Sequence, residues 1–63
     1  MKRFAIAYVD HNGGSLILTF VKAATNTSAV RNYLRSQGWE ISDDQTLAQA
    51  GLRDVECIAK EVT

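Results

Sequence analysis

The sequence predicts a small α+β domain of order β-β-α-(short α)-β: a three-stranded sheet, strand order 2-1-3, with the main helix packed on one face. Three observations carry this expectation. Two stretches rich in β-formers flank an Asn-Gly pair. One amphipathic stripe at helical spacing follows them. A further β-rich stretch comes last.

Arg3 to Asp10 reads as the first strand, because Phe4, Ile6, Tyr8 and Val9 favour extended backbone and a helix would have no polar face. Asp10 to Ser15 is a turn, and Asn12-Gly13 suits a two-residue type I′ hairpin, whose central residues both need positive φ. Leu16 to Ala23 returns as the second strand. With that tip, Asp10 faces Ser15, Tyr8 faces Ile17, Ile6 faces Thr19 and Phe4 faces Val21. Side chains alternate between the two faces. One face then holds Phe4, Ile6, Tyr8, Ile17, Thr19 and Val21, and the other Ala5, Ala7, Val9, Leu16, Leu18 and Phe20. Both faces are apolar, unlike a hairpin covered on one side only.

Thr25-Asn26-Thr27-Ser28 offers several N-caps for a helix running to about Gln37. Ala29, Val30, Tyr33, Leu34 and Gln37 form its stripe, and Gly38 is a left-handed stop that lets Trp39 fold back on Leu34. Ser42 and Gln45 have capping-box spacing for a short second helix, with Asp43 and Asp44 in its first turn. Leu47 and Leu52 are spaced for another Schellman contact across Gly51. Asp54 to Val62 is the last strand, expected beside the first. Ala5 and Ala7 are small enough for close approach, so the helix is expected over the face of Ala5, Ala7, Leu18 and Phe20. The opposite face would then show Phe4, Ile6, Tyr8, Ile17, Val21, Ile58 and Val62. If the helix instead covers Phe4, Ile6 and Tyr8, the bare patch moves to Ala5, Leu16, Leu18 and Phe20.

The 63 residues make a single domain, and a domain of this size buries only roughly 60% of the surface its unfolded chain exposes. Such chains usually lean on disulfides, a metal or a partner. Cys57 is the only cysteine and His11 the only histidine, too few soft ligands for a structural zinc. No cofactor is expected. The net charge is zero, so no uniform field draws the chain to nucleic acid or membrane. No apolar run spans a bilayer, no signal peptide is visible, and a cytoplasmic home with reduced Cys57 is the expectation. The charges are unevenly placed. Residues 1–35 hold five cations against Asp10 alone, and residues 36–63 hold two cations against six acids.

Each candidate for chemistry has a plainer account. His11 beside Asp10 sits at a hairpin tip and reads as a solvated turn residue. Cys57, in an apolar strand, reads as an inert core thiol. Asp43 and Asp44 suit a helix start without metal or acid–base work. Gly13-Gly14 lacks the Lys-Ser/Thr of a phosphate loop. Phe4 and Tyr8 alternate as on an RNA-stacking platform, but without its basic signature. No enzyme is expected.

The apolar surface points instead to an interaction protein. The face of Phe4, Ile6, Tyr8, Ile17, Val21 and Ile58 would be closed by the 39–52 segment, by a second copy in a homodimer, or by a partner protein. The acidic stretch of Glu40, Asp43 and Asp44 is a second candidate contact. The alternative is a nucleic-acid module in which Lys22, Arg31 and Arg35 touch phosphates.

Phe4-Ala5-Ile6-Ala7-Tyr8-Val9-Asp10, followed by Val21-Lys22-Ala23-Ala24 leading into a helix, resembles small phage- and prophage-encoded accessory proteins built as hairpin, helix and final strand. The resemblance covers the first half of the chain and rests on architecture, with no chemical motif. It implies a protein-binding role, since several such proteins inhibit host defence, anti-CRISPR proteins among them.

Overall fold

The computed structural model describes residues 1–62. Its elements are β1 (Lys2–Asp10), β2 (Ser15–Ala23), α1 (Asn26–Ser36) and β3 (Val55–Val62). They build one antiparallel sheet in the order β2-β1-β3, with α1 on one face. The hairpin register is the expected one, including Asp10 opposite Ser15 and Tyr8 opposite Ile17.

The turn that delivers this register differs in type. Among the described residues no non-glycine has positive φ, so Asn12 cannot sit in a type I′ turn. The loop is the four residues His11–Gly14, and Gly14 takes the left-handed position at φ 71°. Asp10 Oδ1 holds the loop by accepting from the amides of Asn12 at 3.0 Å and Gly13 at 3.1 Å. A two-residue tip and this four-residue loop leave the same strand residues opposite each other, so the register survives the change.

Thr25 caps α1. Its Oγ1 accepts from the Ser28 amide at 3.2 Å while Ser28 Oγ accepts from the Thr25 amide at 3.1 Å. The helix ends in a Schellman motif. Trp39 N–H donates to Leu34 O and Gly38 N–H to Arg35 O, both at 3.1 Å, with Gly38 at φ 95°. The short second helix expected after Ser42 is instead a run of capped turns. Thr46 Oγ1 accepts from the Gln49 amide and Gln49 Oε1 from the Thr46 amide. Leu52 N–H closes on Leu47 O at 2.9 Å, as their spacing implied.

The core lies between α1 and the face of Phe4, Ile6 and Tyr8, which are 3%, 1% and 8% exposed. Ala29, Tyr33 and Leu34 come down from α1, and the Tyr8 and Tyr33 rings meet at 5.7 Å. Val55 and Cys57 on β3 join them, Cys57 standing opposite Tyr8. This corrects the expected face. A three-turn helix leaves a gap over a sheet that Ala5 and Ala7 cannot fill, whereas Phe4, Ile6 and Tyr8 have the volume to fill it and are buried there. The 39–52 segment closes the same core, burying Ile41 and Leu52 and packing Trp39, Leu47 and Ala50 at its edge. It does not cross to the other face.

Candidate interaction surface

The register fixes the membership of the uncovered face. Arg3, Ala5, Ala7 and Val9 lie on the central strand, Leu16, Leu18, Phe20 and Lys22 on one flank, and Glu56, Ile58, Lys60 and Val62 on the other. Leu16, Leu18, Phe20 and Ile58 are 68%, 76%, 57% and 69% exposed. Most surface apolar residues stand singly; a contiguous patch rimmed by charge marks an interaction site. The face also has relief. Ala5 and Ala7 floor a groove of about 320 Å³ walled by Leu18 and Phe20 on one side and Ile58 and Lys60 on the other.

Charge gathers at one end of the face. Arg3 stands directly opposite Lys22, and Lys60 stands opposite Ala5. Like charges in directly facing positions are unfavourable. Arg3 is turned onto the Phe20 ring, its guanidinium carbon 4.7 Å from the centroid. Among the described residues the ion pairs are Lys2–Glu61, His11–Glu56 and Arg35–Asp43, and none uses Arg3, Lys22 or Lys60. At the other end Glu56 is the only acid among the described residues, 2.9 Å from His11 Nε2.

The two edges differ as well. β3 carries Glu56, Lys60 and Glu61, charges that discourage strand addition. β2 carries none from Ser15 to Val21.

The candidate residues therefore separate. Of the expected interface, Phe4, Ile6 and Tyr8 are core, Val21 packs against the core, and Ile17, although 38% exposed, lies on the helix-covered side. Ile58 alone belongs to the open face. Leu16, Leu18 and Phe20 were legible as the alternative patch; Arg3 and Lys60 became visible only when the strands were paired.

The expected phosphate cluster does not form. Lys22 is on the open face, whereas Arg31 and Arg35 project from α1 to hold the following loop. Arg31 Nε donates to Ser42 O at 3.2 Å and its Nη2 to Gln45 O. Arg35 Nε donates to Ile41 O at 2.9 Å and its Nη2 to Asp43 Oδ1 at 2.7 Å. That hydrogen bond, reinforced by the guanidinium charge, holds the Asp43 carboxyl below its ordinary range. Asp43 is thus tied into the fold, while Glu40 and Asp44 are exposed. The uneven charge halves are partly cancelled in space, since Arg35–Asp43 and Lys2–Glu61 join one half to the other.

Burial pushes the Cys57 thiol up to about 11, so it is neutral and poorly nucleophilic. Desolvation likewise raises the Tyr33 phenol. His11 is exposed, and its amide donates to Asp54 O at 2.8 Å. No three or more His, Cys, Asp or Glu side chains converge among the described residues. No helix among them is long and apolar enough to cross a membrane.

The fold and this face define a three-stranded antiparallel α+β domain with one apolar sheet face uncovered. No protein-family model matches the chain, and no curated protein or solved structure matches it either.

Proposed function

We propose that the protein is a non-enzymatic interaction module that binds protein through the open face of its sheet. One observation carries this: Leu16, Leu18, Phe20 and Ile58 stand exposed together around the Ala5–Ala7 groove. Fully burying side chains of this size is worth about 1.5–3 kcal/mol each, a large share of a small domain's stability. The resemblance to phage accessory proteins fits the same role, with a host cytoplasmic protein as the partner. Self-association through the same face is the other way to cover it.

Hydrophobic-dye fluorescence, read beside sedimentation equilibrium over a wide concentration range, tests the proposal. A monomer that binds dye, and loses it in Leu18→Ser/Phe20→Ser, has an open face. A monomer that leaves the dye dark has no free patch, and the proposal fails.

A further inference from the structure

Building on that open-face proposal, we propose that its occupant is an acidic amphipathic helix of a partner protein, lying along β1 in the groove floored by Ala5 and Ala7. Shape, layering and charge each support this occupant.

The flanking strands lie about 10 Å apart, close to the width of a helix with its side chains. Small residues on the central strand and large ones on the flanks make a channel of that width. The distance along β3 from Glu56 to Lys60 is roughly 13 Å, or about nine helical residues. A helix there would complete a third layer opposite α1. Arg3, Lys22 and Lys60 crowd one end of this channel without an acidic partner among the described residues. Carboxylates on the incoming helix would relieve the Arg3–Lys22 opposition.

A second copy fits less well. Isologous contacts repeat the same patch on both sides. In aligned stacking, a two-fold axis across the strands sets groove over groove and leaves a hollow. An axis along the strands, placed between β1 and β2, seats ridge in groove but lays Arg3 of each copy over Lys22 of the other and leaves β3 beyond the overlap.

The test selects binders to the immobilised full chain from a displayed library of roughly 18-residue peptides. The peptides carry Leu and Ala at stripe positions, with Glu, Lys and Gln randomised on the flanks. The enriched sequences are expected to be acidic and to fold as helices on binding. As synthetic peptides they should lose roughly tenfold in affinity for Lys22→Glu/Lys60→Glu, and all binding to Phe20→Ser. Leu18, Phe20, Lys22 and Lys60 are all exposed, so these variants keep the fold, which circular dichroism verifies. Neutral or basic binders that still need Phe20 overturn the acidic helix but leave the open-face proposal standing. Binders indifferent to Phe20→Ser, or no enrichment, overturn both. A stable dimer dispersed by Leu18→Lys makes the occupant a second copy. An oligonucleotide complex abolished by Lys22→Glu/Lys60→Glu, with no peptide enriched, makes it nucleic acid. Either result overturns the helix.

Discussion

Arg35 donates to Asp43 Oδ1 at 2.7 Å and, through Nε, to the Ile41 carbonyl at 2.9 Å, so one side chain fastens the loop after α1 at two points. Ile41 beside this fastening is buried in the core. Arg35→Ala should therefore destabilise the fold by about 1–2 kcal/mol, because it removes charge-assisted bonds to the loop. Asp43→Asn should cost far less, since Asp43 is exposed and the Ile41 bond survives. Urea denaturation of both variants checks the ranking. Equal losses would place the anchoring in the ion pair alone.

The same pair predicts a small acid dependence. Asp43 is depressed below its ordinary 3.8, so its contribution is present above that value and is lost as pH falls through the lower folded value. Stability measured from pH 6 down to pH 2 should fall less steeply in Asp43→Asn than in the parent. Parallel curves would remove Asp43 from the acid response.

Cys57 acts at the opposite end of the pH scale. Its thiol moves from 9.0 to about 11 on folding. A raised value means the contribution is complete below 9.0 and is lost as pH rises towards 11. The parent should lose more stability across that window than Cys57→Ala does. A thiol reagent at pH 8 should label the native protein only as fast as the core opens. Prompt stoichiometric labelling would contradict the buried placement.

Substitutions on the two sheet faces should behave oppositely. Ile6→Ala and Leu34→Ala remove fully buried side chains and should cost about 2–5 kcal/mol each. Leu18→Ser, on the bare face, should stay within about 0.5 kcal/mol. Thermal denaturation of the three variants decides it. A costly Leu18→Ser would mean the face is covered in solution.

The hairpin loop distinguishes two residues of similar reputation. Gly14→Ala places a side chain at φ 71° and should cost about 1 kcal/mol. Asn12→Ala should be nearly neutral, because Asn12 keeps negative φ. A type I′ turn would make Asn12→Ala costly as well, and denaturant midpoints separate the two cases.

The hairpin pairing and the two Schellman endings were legible in the sequence because each is set by neighbours in the chain, whereas the order 2-1-3 followed from the crossover that returns the last strand beside the first. Asp10 and Ser15 meet across a loop of four residues, and Trp39 reaches back only to Leu34. The open face was legible only as a pair of alternatives. Alternation assigns Phe4 and Ala5 to opposite faces but does not say which face is covered when both are apolar. Arg31 and Arg35 looked like free cations because a loop carbonyl leaves no mark in the pattern of side chains.

The sequence by itself determined the three strands, the main helix, their order and the hairpin register, since side-chain period and the length of the hairpin connection specify them. Tertiary structure decided which face is core. The space between α1 and the sheet needs the volume of Phe4, Ile6 and Tyr8, and Tyr33, Leu34, Ile41 and Leu52 close around them. Ala5 and Ala7 are left as the floor of an open groove. Pairing the strands also brought Arg3, Lys22 and Lys60, far apart in the chain, to one end of it.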